Sequence, residues 1–323
     1  MYKYMIINVG LIGLGKIGAL YDIDNNNLMS HLKTIINDKR FNLQFAYDPA
    51  DDVCNVIRNK YNLSNIYSNI KDIKELSPKI DLLIIASPTS FHLESIELMV
   101  DFTNPILVLC EKPLALNIVD SNKIKDICSE RGIKVVSNFM RRSLPAFQEL
   151  KFFLNKNTKT IDDVVIKYSG CFKNNGSHFI DLMSYLYGDI LDYSLSFNEV
   201  DEDSIHRVGV SIKYKNSLCT FVSLHSNIVV DHEILIMSEQ YKYIISRAGR
   251  EMKIYSSVTD TDFINSKEYA NPRNINTDYL NFQKYVYNDI FDSINSGIIA
   301  LNLCDIDTSI SNIKIIEDII NDK

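Results

Sequence analysis

The stretch Ile6-Ile7-Asn8-Val9-Gly10-Leu11-Ile12-Gly13-Leu14-Gly15-Lys16-Ile17-Gly18 decides how the rest of the chain is read. A buried-strand pattern, Ile6 to Ile12, runs into a glycine loop and then into a helix-like stretch, the order of elements that holds a dinucleotide pyrophosphate. Gly13 allows the tight turn, Gly15 lets backbone approach the phosphates, and Gly18 permits close packing of helix on strand. The phosphate charge then meets helix N–H groups near Lys16 and Ile17.

Working outward, Leu43 to Tyr47 reads as a second strand ending in Asp48. A carboxylate there accepts hydrogen bonds from an adenosine ribose and repels a 2′-phosphate, and Pro49 to Asp52 supply no Arg or Lys, so NAD is expected rather than NADP. The competing reading makes Asp48 the cap of the next helix. From Gly18 to Asp48 the spacing exceeds the usual distance of about twenty residues by about ten. The extra segment is placed at Tyr21 to Met29 and expected to be a polar surface loop, with Ser30 capping a helix that resumes at His31. Asp22, Asp24 and Asn26 resemble the start of a calcium loop, but Asn27 stands where Gly is needed and Lys33 where Glu is needed.

Composition narrows the class. The 323 residues carry a formal net charge of −7 with both signs interspersed, which argues against a nucleic-acid surface. No apolar run reaches the roughly 18 residues of a membrane span, and the start, Met1-Tyr2-Lys3-Tyr4, has neither signal-peptide nor transit-peptide character. Cys54, Cys110, Cys128, Cys171, Cys219 and Cys304 are scattered without a CxxC pair. Reduced thiols in a cytoplasmic protein without a zinc site are the expectation.

Strand patterns at Leu82 to Ala86, Ile106 to Cys110 and Lys134 to Val136 alternate with helix patterns at Val53 to Tyr61, Phe91 to Phe102 and Ile118 to Arg131. That alternation predicts a doubly wound parallel sheet, a Rossmann α/β domain over 1–138. From 139 to 323 the expectation is an α+β domain on a large open antiparallel sheet. Its strands are Ile161 to Ser169, Leu191 to Phe197, Ile205 to Tyr214, Ser217 to His225, Val229 to Met237 and Tyr241 to Ser246. Helices are read at Pro145 to Leu154, Phe282 to Ser296 and Ile306 to Asn321, and Lys215-Asn216 as a two-residue hairpin turn.

The carboxyl ends of parallel strands collect ligands, and the unusual segments fall there: Ala86-Ser87-Pro88-Thr89 with His92, and Glu111-Lys112-Pro113-Leu114-Ala115. Together with the glycine loop, Arg141-Arg142 and Gly176-Ser177-His178 followed by Asp181, these residues resemble the Gfo/Idh/MocA family. That family comprises nicotinamide-dependent sugar oxidoreductases such as glucose-fructose oxidoreductase and inositol dehydrogenase. The resemblance covers nearly the whole chain, and Glu-Lys-Pro is its most specific part. It implies an NAD-dependent dehydrogenase acting on CH–OH groups of a small-molecule carbohydrate, a sugar, sugar phosphate or nucleotide sugar, and a homodimer or homotetramer. The alternative is a non-catalytic, nucleotide-sensing regulator of the same fold.

The resemblance also implies that Lys112 contacts the reacting hydroxyl, where an ammonium stabilises a developing alkoxide. His178 is the second catalytic candidate, since an imidazole titrates near neutrality. Asp181 lies one helical turn on. Asn174 stands where many relatives carry Asp; an amide does not titrate, so Asn174 or Asn175 is expected to bind a substrate hydroxyl. Arg141 is a candidate for a substrate phosphate or carboxylate. Tyr168, Phe172, Lys173 and Tyr185 are read as pocket lining, whereas His31, His206, His225 and His232 show no convergent partners. Cofactor contacts are expected from Gly13, Gly15, Lys16, Ile17, Gly18, Asp48, Ser87, Pro88, Thr89, His92, Glu111 and Lys112.

Overall fold

The computed structural model describes residues 6–157, 161–201, 205–224, 231–263 and 265–322. The start from Met1 to Tyr4, His225, and the Val229-Val230 end of an expected strand lie outside them. Two units divide the chain: one runs through Ser143 and includes Leu280–Lys314, the other is Leu144–Tyr279 with the tail from Ile315.

In the first unit, β1 (Ile7–Ile12), β2 (Phe41–Tyr47), β3 (Ile66–Tyr67), β4 (Leu82–Ile85), β5 (Leu107–Cys110) and β6 (Lys134–Ser137) form a parallel sheet in the order β3-β2-β1-β4-β5-β6. Every side chain of β4 and β5 is buried, as strands covered on both faces require. The covering helices include α1 (His31–Asn37), α2 (Asp51–Tyr61), α3 (Ile70–Leu76), α4 (His92–Thr103) and α5 (Ile118–Glu130). Ile96, Met99 and Val100 of α4 and Ile124 and Cys128 of α5 pack into one core with Leu83, Ile85 and Val108. The expected helix after the glycine loop is cut to a single π turn, Lys16–Leu20.

The second unit starts with α6 (Pro145–Lys156), which has Pro in its first turn. Then follow β7 (Asp162–Ser169), α7 (Ser177–Tyr187), β8 (Ile190–Val200), β9 (His206–Tyr214), β10 (Ser217–Leu224), β11 (Glu233–Met237), β12 (Tyr241–Ser246), β13 (Glu251–Thr259) and β14 (Lys267–Ile275). Among the described residues they form one sheet, β14-β13-β12-β11-β7-β10-β9-β8. It is mostly antiparallel. The exception to all-antiparallel pairing is β7 with β10, which run parallel because β10 returns beside β7 only after the β8-β9 meander. Lys215-Asn216 does form the turn between β9 and β10, with Tyr214 opposite Ser217. The chain then comes back through α8 (Phe282–Ser296) and β15 (Cys304–Asp305), which pairs antiparallel with β6, and ends in α9 (Ile306–Asn321).

Candidate functional site

Strand register brings the separated motifs to one edge. Ile12 stands beside Tyr47 and Ile85, Ile85 beside Cys110, and Cys110 beside Ser137. The next rung therefore carries Asp48, Gly13, Ala86, Glu111 and Asn138. Its backbone continues the ladder: Gly13 N–H donates to Tyr47 C=O at 2.8 Å, Ala86 to Ile12 at 2.7 Å, Glu111 to Ile85 at 2.8 Å and Asn138 to Cys110 at 2.8 Å. The edge falls between β1 and β4, where strand order reverses and ligands of such sheets bind.

Each glycine of the loop has its own physical reason. Gly13 has φ +93°, and a Cβ on it would stand 2.6 Å from the backbone of Ala86 and Ser87. A Cβ on Gly18 would meet the Gly13 carbonyl oxygen, so the turn and strand touch there. Gly15 differs: nothing lies within 4 Å of its Cβ position. It is exposed, as is Lys16, while Ile17 is half-buried.

Asp48 serves the loop directly. One carboxylate oxygen accepts from Leu14 N–H at 2.8 Å and the other from Ala50 N–H at 3.0 Å, so it both pins the glycine loop and stabilises the turn into α2. With two acceptor sites on each oxygen, capacity remains for ribose hydroxyls. The open space over Gly15 and this carboxylate fit the pyrophosphate and ribose of NAD.

The inserted segment is no simple polar surface loop. Asp22 is fully buried and accepts from Met29 N–H at 2.7 Å, Ser30 N–H at 2.9 Å and Ser30 Oγ–H at 2.5 Å. Ser30 thus stands at the cap position, but its hydroxyl is turned to Asp22 and does not cap the helix.

Beyond β4, Pro88 leads a short 3-10 turn, Thr89–Phe91, and the Ser87 hydroxyl lies 3.4 Å from that of Ser95. His92 is buried, its Nε2 2.9 Å from Ser87 C=O and its Nδ1 3.1 Å from Leu114 C=O. It therefore ties the turn after β4 to the turn after β5, and burial holds its pKa below the ordinary value. Lys112-Pro113 is a cis peptide.

Glu111 and Lys112 are perturbed in the same direction, for different reasons. Burial pushes the Lys112 pKa down to about 8, opposed by Glu111 and reinforced by Arg141. Burial alone would raise Glu111, but the His31 and Asn138 donors and the Lys112 charge hold its carboxyl below the usual range. His31 is thus not without partners. Its side chain has no exposure; Nε2 lies 3.0 Å from Glu111 Oε1 and Nδ1 3.1 Å from the Tyr287 hydroxyl. Asn138 Nδ2 donates to the same Glu111 oxygen at 2.6 Å. Arg141 is buried in the 3-10 turn Met140–Ser143 that follows β6.

The second unit carries the other candidates. After β7, a π turn, Phe172–Gly176, leads straight into α7, so Ser177 is the first helical residue; its hydroxyl donates to Asn174 C=O at 2.8 Å and caps nothing. Asn174 is exposed and His178 half-buried. Asp181 is buried one turn along the same helix. The Asn175 amide donates to Ser169 C=O at 2.7 Å, which commits its nitrogen to closing the end of β7. Tyr168 and Phe172 are core rather than pocket lining. Both are fully buried, with Tyr168 donating to Val208 C=O at 2.8 Å. The Lys151 ammonium sits 3.7 Å over the Tyr185 ring, and Lys173 is exposed.

A strand-switch edge with a glycine loop and an acidic β2 end is the arrangement in which a doubly wound sheet holds a dinucleotide. Residues 7–139 match the model of the oxidoreductase family with an NAD-binding Rossmann fold (GFO_IDH_MocA), the stretch that builds the first sheet. Oxidoreductase P35 of Formosa agariphila is 21% identical over 303 residues, 83% of this chain and 87% of that one. Myo-inositol 2-dehydrogenase of Thermotoga maritima is 24% identical over 152 residues, covering 47% of this chain and only 42% of that protein. The fold of the WlbA dehydrogenase from Bordetella pertussis, crystallised with NADH and UDP-GlcNAcA, is similar at a TM-score of 0.73 and 15% identity, over 99% of this chain and 95% of that one.

Proposed function

We propose that this chain oxidises or reduces a carbinol carbon of a sugar, sugar phosphate or nucleotide sugar. When bound, NAD supplies the hydride acceptor or donor. Lys112 is the group that stabilises the alkoxide, and its perturbed state carries the reading: a lysine drawn down to about 8 exchanges protons near neutrality while remaining largely charged below that value. His178 takes up the hydroxyl proton, and Asn174, Asn175, Arg141 and Asp181 bind or orient the substrate. An imidazole suits the proton transfer because Asn174 has no titratable group. A nucleotide sugar is favoured within the class, supported by the fold likeness to WlbA and by the Asn-Asn-Gly-Ser-His run at 174–178.

The division of labour is part of the same proposal, with 1–138 serving the cofactor and 139–323 the substrate. So is a cytoplasmic homo-oligomer. Support for self-association comes from β10, whose outward positions Leu218 and Val222 are 43% and 38% exposed on a strand otherwise buried at alternate residues. The test is absorbance at the reduced-nicotinamide band with purified protein against a panel of inositols, sugar phosphates and UDP-sugars. Turnover with one class that falls in Lys112→Ala supports the proposal. Tight NAD binding without any redox change across the panel supports the regulator.

A further inference from the structure

Resting on the reading of Lys112 as the group that meets substrate, we propose that His31 is a positioning residue for Lys112, acting through Glu111. An ionised carboxylate only accepts, so the 3.0 Å contact with Glu111 Oε1 puts a hydrogen on His31 Nε2; the Gln283 amide nitrogen lies farther from that atom, at 3.4 Å. The same oxygen takes the Asn138 amide at 2.6 Å, and that amide reaches the Gln283 oxygen at 3.4 Å. Two donors from α1 and from the end of β6 therefore hold one oxygen of Glu111, while its other oxygen lies 3.4 Å from the Lys112 backbone N–H. The Tyr287 hydroxyl on α8 backs the imidazole at 3.1 Å and fixes the ring plane.

The inserted segment is what seats this histidine. His31 is the first residue of α1, and the residue before it, Ser30, is bonded through both N–H and hydroxyl to the buried Asp22. Among the described residues, Cys110 is one titratable neighbour of Glu111. Glu111 and the Tyr287 phenol face His31; Lys112 and His92 lie about Glu111; Glu111 and Arg141 act on Lys112. Removing the His31 donor leaves a mostly buried carboxylate one hydrogen bond short, which favours its protonation. Lys112 then loses its negative neighbour with Arg141 still present, and releases its proton at lower pH.

The experiment needs neither NAD nor substrate. Full-length protein is briefly acetylated with acetic anhydride across a pH series, and modification of Lys112 is read by peptide mass against the exposed Lys79. The wild-type midpoint is expected near pH 8, where the amine loses its charge. His31→Leu and Glu111→Gln should each lower that midpoint by about one unit, whereas His31→Gln, which keeps a donor for Glu111, should stay within about 0.3 unit of wild type. A merely structural role would lower Tm and leave the midpoint in place. An unchanged midpoint in His31→Leu overturns the proposal whatever Glu111→Gln does, as does a His31→Gln shift as large as that of His31→Leu. If His31→Leu does not fold, His31→Ala takes its place: a midpoint lowered by about one unit supports the assignment, and an unchanged midpoint overturns it. An absence of turnover on every sugar would sink the proposed function and leave this result standing.

Discussion

Gly13→Ala and Gly15→Ala are two identical chemical changes two residues apart, and the structure predicts opposite consequences. At Gly13 the new methyl would stand 2.6 Å from the backbone carbon of Ala86 and the nitrogen of Ser87, with φ at +93°. Left-handed backbone strain on an L residue costs about 1–2 kcal/mol. Overpacking against groups that cannot rotate away costs about 1–3 kcal/mol more. A loss of about 2–5 kcal/mol from a stability of about 5–15 kcal/mol should lower Tm by about 4–20 °C. Gly15 has φ −63° and ψ −160° and open space around its Cβ position, so alanine there should change stability by no more than about 0.5 kcal/mol. That methyl occupies the space left for the pyrophosphate, and NAD should bind at least about tenfold more weakly, a loss of about 1.4 kcal/mol. Differential scanning fluorimetry gives the first pair of numbers and titration calorimetry with NAD the second. A Gly13→Ala protein as stable as wild type, or a stable Gly15→Ala protein with undiminished NAD affinity, refutes the assignment of these two glycines.

Asp48→Ala strips acceptors from Leu14 and Ala50, so it should cost about 1–3 kcal/mol in urea melts and narrow the preference for NAD over NADP in parallel titrations. Asp22→Ala removes three hydrogen bonds at a buried carboxylate; a loss of about 2–4 kcal/mol is expected, with hydrogen exchange accelerating first in α1. For Lys112, the folded pKa of about 8 lies below the ordinary 10.5, so the unfolded chain holds more protons between those values. The half-buried ammonium is therefore a full burden below about pH 8 that fades as pH rises toward 10.5. Lys112→Met should raise stability at neutral pH by about 1–3 kcal/mol, the gain vanishing in alkali, while turnover falls at least about a hundredfold. In the wild type, carbonyl reduction should decline as pH passes about 8, because the ammonium proposed to stabilise the alkoxide is being lost.

Much of the first unit was legible because its strands are short apolar runs bounded by turn residues. The two closing helices, Phe282–Ser296 and Ile306–Asn321, match their apolar periodicity residue for residue. What escaped has definite causes. β14 is exposed at nearly every position and contains Pro272, so it has no buried face to betray it. β3 has two residues, too few for any period to register. Tyr168 and Phe172 looked like pocket residues because aromatic character does not say which face of a sheet a side chain joins; both went to the core. The partners of His31 lie 80 and 256 residues away at Glu111 and Tyr287, brought together only by the sheet's crossovers and the return of α8. Its one local signal was the helix restart after the insert, which marked His31 as fixed without saying what it faced. The parallel pairing of β7 with β10 likewise belongs to connectivity, which alternation along a strand does not encode.

Hydride transfer to or from a sugar carbon is the step that everything else in the proposed chemistry depends on. The most direct measurement mixes the purified protein with NAD and each member of a UDP-sugar and inositol panel, and follows the reduced-nicotinamide absorbance in wild type, Lys112→Ala and His178→Ala. Steady reduction with one substrate class, lowered at least about a hundredfold in both variants while their melts stay near wild type, is the predicted result. Turnover that survives either substitution at near-normal rate, with the true substrate in hand, contradicts it.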